Sequence, residues 1–134
     1  MISVRMLKLT PLILWTALSQ AIISSVLVPL MTDTMDNKPW LPAEKNKYCL
    51  LSLVGQGTGE ILGAILHGYV QDTFSDKTTC LMCLCLSTVA CGVEFAYIAH
   101  FDFTLWFGIV MCFCWGVQDG AANCLNNCIL GFQF

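Results

Sequence analysis

The stretch from Gly55 to Lys77 reads GQGTGEILGAILHGYVQDTFSDK, and it decides the class of fold. Its apolar first part carries Gly55, Gly59 and Gly63, which recur every four residues, and a single carboxyl group, Glu60. On a helix this spacing places the glycines on one face, where the backbone of a second helix can approach closely. The stretch therefore predicts an apolar helix that packs tightly against a neighbour and ends in a short charged turn.

A row of polar side chains lies beside the glycines on the same predicted helix. The row consists of Gln56, Glu60, His67 and Gln71, spaced 4, 7 and 4 residues apart, so its members share one face. Inserting a charged side chain at the centre of a bilayer costs roughly 2.5 to 3.5 kcal/mol, so such a group faces protein or a water-filled cavity. Glu60 is therefore the leading candidate for a functional residue in this helix.

The composition indicates a membrane protein. Of the 134 residues, 57% are hydrophobic and 11% are charged, whereas about a quarter of the residues of a soluble domain are charged. The net charge is −3, and the six Lys and Arg residues form no basic patch, which argues against nucleic acid as a partner. We predict a multi-pass integral membrane protein that contacts the lipid bilayer and forms one domain over residues 1–134.

Apolar runs predict four transmembrane helices, near residues 9–31, 48–71, 79–99 and 103–130, with a polar loop over residues 32–47. The first run of 23 residues makes a helix of about 35 Å, enough to cross a hydrocarbon core of about 30 Å. The turn after the second helix is so short that we expect the third helix to return antiparallel beside it. The predicted fold is therefore all-α, with both termini on one side of the membrane.

The first apolar run has a second interpretation as a secretory signal peptide. Arg5 and Lys8 give a basic start, and the sequence Ala-Leu-Ser-Gln-Ala, which ends at Ala21, loosely fits a cleavage site. The apolar run continues ten residues beyond Ala21, which a cleaved signal does not need. The continuation favours a transmembrane helix.

The fourth predicted helix repeats both patterns of the second. Its small residues recur every four positions, and they are Gly108, Cys112, Gly116, Gly120, Cys124 and Cys128. Asp119, Asn123 and either Asn126 or Asn127 form a polar row at helical spacing. We therefore predict a second packing face, with Gly108, Gly116 and Gly120 in contact with another helix, next to a wet or hydrogen-bonded face.

The nine cysteines are expected to be packing residues, because eight of them fall between Cys80 and Cys128 inside predicted spans. The C-x-x-C-x-C run at Cys80, Cys83 and Cys85 is an alternative metal site. On a helix, however, Cys85 points away from the other two thiols, and no second Cys or His pair stands at zinc-site spacing. We predict neither a metal nor another cofactor.

The sequence GEILGAILHGYVQD, which ends in G-x-x-x-D at Gly68 to Asp72, resembles a helix end and the following loop in the major facilitator superfamily. Gly68, Asp72 and Lys77 match the loop motif G-x-x-x-D-[RK]-x-G-[RK]-[RK] of that family. The residues that depart from the motif are Thr73, Ser75 and Asp76.

The sequence WGVQDGAANCLNNCILGF, from Trp115 to Phe132, is similar to the signature G-x-x-D-x-x-x-N-x-Q-x-x-x-x-L-G of the Unc-ninety-three-like branch of that superfamily. The matching positions are Gly116, Asp119, Asn123, Leu130 and Gly131, while Leu125 stands where the branch has Gln. Leu18 to Ala21 resembles the G-L-E-x stretch within the helix that opens the second half of the family fold, with Ser19 in place of its acidic residue.

The resemblance implies that this chain corresponds to the first four helices of the C-terminal half of a twelve-helix fold. In that family the substrate path lies between two halves, so four helices cannot enclose it. The candidates for substrate binding or proton coupling are Glu60, Asp119, Asn123, Gln56, His67 and Gln20.

The chain shows no catalytic Ser/His/Asp arrangement and no phosphate-binding glycine loop in a suitable context, so we predict that it is not an enzyme. The departures from the loop motif favour an accessory or structural subunit that associates with other membrane proteins. The alternative is a part of a solute transporter that is completed by helices of another chain.

Overall fold

The computed structural model describes residues 4–36 and 38–133, and it describes the side chains of residues 10–131 apart from 24, 37 and 76. The side chains of Arg5 and Lys8, on which the predicted basic start depends, lie outside the described part, as does that of Asp76. Every described element is a helix. The elements are α1 (Val4–Ile22), a π-helical turn (Ile23–Leu27), α2 (Val28–Thr34), α3 (Pro42–Thr73), α4 (Asp76–His100) and α5 (Leu105–Gln133).

Four helical segments in the described part are long and apolar enough to cross a bilayer. They are Thr10–Thr34, Pro42–Thr73, Lys77–His100 and Leu105–Gly131. The first of them joins α1, the π-helical turn and α2 without a break. The prediction of an all-helical chain with four potential spans is therefore confirmed.

The π-helical turn precedes Pro29, which lies in the first turn of α2. Proline has no backbone N–H and clashes with the carbonyl four residues earlier, so a regular α-helical ladder cannot continue through it. A wider turn upstream accommodates this interruption. Leu27 and Met31, on either side of Pro29, are both buried, at 1% and 0% exposure.

The predicted polar loop over residues 32–47 is wrong in extent. The helix α2 continues to Thr34, and α3 begins at Pro42, where proline is favoured because its missing N–H would have no partner. The carboxylate of Glu44 accepts a hydrogen bond from the backbone N–H of Leu41 at 3.1 Å. Charged residues therefore occupy the first turns of α3, because long side chains at a helix end reach the polar headgroup region.

The most extensive interhelical contact joins α3 and α5, which run parallel. A Cβ atom at Gly55 would lie 2.7 Å from the carbonyl oxygen of Ile109, and one at Gly116 would lie 2.9 Å from the carbonyl carbon of Gln56. These distances are shorter than van der Waals contact, so the two backbones touch directly. Only residues without a side chain permit this approach.

All six glycines that the sequence assigns to packing lie between these two helices or at their edge. They are Gly55, Gly59 and Gly63 on α3 and Gly108, Gly116 and Gly120 on α5. Five of them approach the backbone of the partner helix, whereas a Cβ at Gly108 would meet the hydroxyl of Ser52 at 2.9 Å.

The position of α4 differs from the prediction. It packs mainly against α5 and has only sparse contact with α3, although the turn between α3 and α4 spans just two residues, Phe74 and Ser75. The glycine face of α3 is filled by α5, whose backbone lies too close for another helix to enter. A short turn fixes the direction of α4 but not the neighbour that it packs against.

The buried core lies toward the end of the molecule that carries the α2–α3 and α4–α5 loops. The hydroxyls of Thr34 and Tyr97 are hydrogen-bonded at 2.8 Å, and both residues are buried. The ring of Trp40 contacts those of Tyr48 and Phe103, with centroids 4.7 Å and 6.0 Å away. Contacts among the two loops and the adjoining helix ends therefore close this end of the bundle.

An ion pair connects the same two loops, with 2.8 Å between Lys38 Nζ and Asp102 Oδ1. The hydrogen bond and the charge of Lys38 lower the pKa of the Asp102 carboxyl from its ordinary value. The pair therefore forms at neutral pH and is lost as the pH falls through the lowered pKa. Because the pair is exposed, it orients the loops and contributes little to stability.

We predict that Gly59→Ala destabilises the protein by about 1–3 kcal/mol through overpacking, because its Cβ would lie 2.9 Å from the backbone nitrogen of Val117. The matched control is Gly57→Ala on the same helix, where a Cβ meets nothing within 4 Å. There alanine should be neutral or stabilise by up to about 1 kcal/mol through helix propensity. Thermal unfolding in detergent measures both, and equal stability of the two variants contradicts the packing interpretation.

We also predict that the α2–α3 and α4–α5 loops lie on one side of the membrane and the α3–α4 turn on the other. Single cysteines at the exposed positions Pro39, Thr104 and Ser75, in a background without native cysteines, report the side through an impermeant maleimide. Pro39→Cys and Thr104→Cys should be labelled together, and Ser75→Cys only from the opposite face. Labelling of all three from one face disproves this topology.

Candidate functional site

Polar side chains from three helices meet near the middle of α3 and α5. We call this group the mid-helix cluster and define it by Gln20 on α1, Gln56 and Glu60 on α3, and Asp119 and Asn123 on α5. The structure thus brings together five of the six residues that the sequence proposes for substrate or proton coupling. The sixth, His67, lies apart.

The glycine contact between α3 and α5 positions the cluster. A Cβ atom at Gly120 would lie 2.9 Å from the carbonyl carbon of Glu60, so the backbone of Glu60 rests directly on α5. Asp119 precedes Gly120, and Asn123 follows Asp119 by one helical turn. Close backbone packing therefore places two carboxyl groups from different helices next to each other.

Asp119 is buried, with 1% of its surface exposed. Its Oδ2 accepts a hydrogen bond from Gln20 Nε2 at 2.5 Å, which ties α1 to α5. Its Oδ1 is buried and has no hydrogen-bond partner among the described residues. A buried acceptor without a donor costs about 1–3 kcal/mol of stability, so the unpaired Oδ1 of Asp119 is an unfavourable feature of this fold.

Glu60 is half-buried, and its Oε1 accepts a hydrogen bond from Gln56 Nε2 at 3.2 Å. Gln56 and Glu60 are one helical turn apart, as the sequence spacing predicts. The carboxyl groups of Glu60 and Asp119 are also close enough to repel each other when both are ionised. The cluster therefore brings two carboxyl groups together within apolar helices.

Glu60 opens onto a groove of about 630 Å³ between α3 and α5. The groove is lined by Glu60, Ile61, Ala64, Gly120, Asn123, Cys124, Asn127 and Cys128. The side chains of Asn123 and Asn127 make no hydrogen bond to another residue in the described part. The groove thus exposes one carboxyl group and two amides above a floor of small residues.

A second polar contact between α1 and α5 lies two turns away. Asn126 Nδ2 donates to Thr16 Oγ1 at 2.6 Å, and the Thr16 hydroxyl donates to the carbonyl oxygen of Leu12 at 3.0 Å. Gln118, beside Asp119, is also buried, at 1% exposure. The α1 side of α5 therefore carries polar contacts at Asp119 and Asn126, whereas its α3 side carries the glycines that allow backbone contact.

His67 shares a face with Glu60 but does not reach it, which corrects the prediction that the two belong to one site. A spacing of seven residues is two turns, or about 10 Å along the helix axis. His67 is fully buried, and its Nδ1 lies 3.6 Å from Cys83 Sγ on α4. Its second close neighbour is Gln71. His67 thus connects α3 to α4.

The residues of the loop motif lie at the turn between α3 and α4. Asp72 and Lys77 are exposed, and the ion pairs of the described residues lie at the opposite end of the helices. A Cβ at Gly68 would meet nothing within 4 Å. The described chain therefore gives these three residues no contact that would fix the turn.

Two interior polar contacts were not predicted from the sequence. Glu94 on α4 lies beside the indole of Trp115 on α5, and the indole nitrogen is buried. His67 and Cys83 form the other contact. A polar residue in an apolar run indicates that its side chain contacts another polar group. Sequence spacing identifies such a group on the same helix but not on a different helix.

Within the C-x-x-C-x-C run, Cys80 and Cys83 line one groove, and Cys83 also faces His67. Cys85 is exposed and is not among the residues of that groove. Among the described residues, no group of three or more His, Cys, Asp or Glu side chains is arranged to hold a metal ion.

Comparison with protein-family models, curated proteins and solved structures found no match for this chain.

We predict that Gln20 and Asp119 stabilise the protein jointly. A double-mutant cycle with Gln20→Leu and Asp119→Leu should give a coupling of about 0.6 to 1.7 kcal/mol, the range found for hydrogen bonds inside membranes. Replacing both partners should cost less than the sum of the single changes, because neither polar group then remains unpaired. Unfolding in detergent measures the cycle, and additive effects show that the contact does not stabilise the fold.

Proposed function

We propose that this chain is a multi-pass membrane protein resembling part of the major facilitator superfamily and its Unc-ninety-three-like branch, and that it serves as an accessory or structural subunit bound to other membrane proteins. The observation that carries this proposal is the groove beside Glu60. A half-buried carboxyl group at mid-helix cannot face lipid without a large cost. Helices of another protein would cover it.

The surface next to the groove supports the same function. Ile61 and Ile65, which follow Glu60 on α3, are 63% and 64% exposed. Apolar side chains beside a polar strip are typical of a surface that packs against another transmembrane helix, because lipid alone satisfies only the apolar part. The four helices therefore present a mixed surface suited to a protein neighbour.

Two features favour an accessory role over transport. The loop motif is altered at Thr73, Ser75 and Asp76. The family-like stretch from Leu18 to Ala21, within the first span, has Ser19 in place of an acid. In addition, Gln20 already occupies one oxygen of Asp119, so this carboxyl group serves as a link between helices. A structural role for the mid-helix cluster accounts for these features without a substrate.

The alternative function is that of one part of a solute transporter whose remaining helices come from another chain. The groove favours it, because Glu60, Asn123 and Asn127 present hydrogen-bonding groups that are not used within the four helices. A small polar substrate binds through a few groups of this kind. In this alternative, Glu60 carries the coupling proton.

The two functions differ in what purifies with the chain. We predict that the tagged protein, extracted in mild detergent, forms a stoichiometric complex with a membrane protein that does not supply the missing half of a transporter. Reconstituted into vesicles, the complex should show no proton-driven uptake. Uptake that is lost in Glu60→Gln, with assembly intact, supports the transporter alternative, and a chain that purifies stably by itself disproves both.

A further inference from the structure

We propose that the groove beside Glu60 binds a transmembrane helix of the partner protein that carries a single Lys or Arg at mid-membrane depth. This inference rests on the proposed association with other membrane proteins and specifies its chemistry. Three independent properties of the groove lead to it: its shape, its charge and its unused hydrogen-bonding groups.

The shape fits a helix. The α5 side of the groove runs from Gly120 to Cys128, which corresponds to about 12 Å or two helical turns. Gly120, Cys124 and Cys128 are spaced one turn apart and line the groove together with Ala64 of α3. Small residues at this spacing allow another helix to approach closely along the groove.

The charge of the groove selects a cation. Gly120, which follows Asp119, packs on the backbone of Glu60. Both ion pairs of the described residues lie at the other end of the helices, where the bases are Lys38 in the α2–α3 loop and Lys45 in the first turn of α3. No Lys or Arg of the described chain lines the groove. Pairing with a cation lowers the cost of placing a carboxylate in an apolar setting, and no described side chain supplies that cation at the groove.

The unused hydrogen-bonding groups favour an ammonium or guanidinium group over a purely apolar helix. Asn123 and Asn127 each offer a carbonyl oxygen beside the Glu60 carboxylate. An ammonium group has three donors and a guanidinium group has five. A Lys or Arg side chain therefore has enough donors for the carboxylate and for amide groups of the same groove.

Lipid does not provide this chemistry at the same depth. Glu60 is near the middle of a helix of 32 residues, where hydrocarbon tails surround the protein. Cationic headgroups lie at the interface, and anionic headgroups would be repelled by Glu60. A basic residue on a transmembrane helix is the one group of complementary charge that is held at this depth.

The full chain, labelled with a fluorescent donor and reconstituted in phosphatidylcholine vesicles, tests the proposal against three acceptor-labelled peptides. The peptides are Leu/Ala-rich transmembrane helices that differ at one central residue, which is Lys, Leu or Glu. Energy transfer should show the Lys peptide binding about tenfold more tightly than the Leu peptide. The Glu peptide should bind more weakly than the Leu peptide.

Glu60→Gln keeps the size and hydrogen bonding of the side chain and should remove the preference for Lys. Glu94→Gln is the matched control, because Glu94 is an acid in another span and faces Trp115; it should leave the preference unchanged. Glu60→Lys should reverse the preference and select the Glu peptide, which shows a specific pairing even if Glu60→Gln lowers stability.

Equal binding of the Lys and Leu peptides to the unmodified chain overturns the proposal, as does the absence of binding by either. A Lys preference that persists in Glu60→Gln also overturns it. These peptide results do not affect the proposed accessory function, which is tested separately by co-purification. If the tagged chain purifies without a partner, the accessory function itself is disproved.

Discussion

The structure depends on the direct backbone contact between α3 and α5. At Gly55, Gly59, Gly63, Gly116 and Gly120 a single added carbon would collide with the main chain of the opposite helix. In a bilayer, where lipid tails are as apolar as leucine, such close packing replaces the hydrophobic effect as the force that associates helices. The other helices arrange themselves around this pair, with α4 on the outer side of α5 and α1 across its polar face.

The same contact explains why the polar groups lie where they do. It brings the backbone of Glu60 against Gly120 and so places Glu60 near Asp119, at the middle of two apolar helices. Asp119 is partly satisfied by Gln20, whereas Glu60 has Gln56 and then an open groove. Tight packing at the glycines thus brings carboxyl groups of two helices together beside a groove that the described helices leave open.

Prediction from the sequence succeeded where the relevant property belongs to one helix. Apolar length identified four spans, and four-residue spacing identified the faces of α3 and α5 that carry the glycines. Prediction from the sequence was less successful at the ends of helices. The charged residues after Pro42 were predicted to lie in a loop, but they form the first turns of α3. The assignment failed because a charged side chain at the membrane surface is compatible with either structure.

The sequence by itself determined that the chain is helical, that its helices suit a membrane, and that Glu60 and Asp119 are costly groups in an apolar setting. Only the tertiary structure decided which groups meet: Gln20 bonds Asp119 across 99 positions of chain, and His67 contacts Cys83 instead of Glu60. The physical reason is that helical periodicity relates residues along one helix. Contacts between helices depend on which faces can approach most closely. Here the glycines of α3 and α5 allow the closest approach, so these two faces pack together.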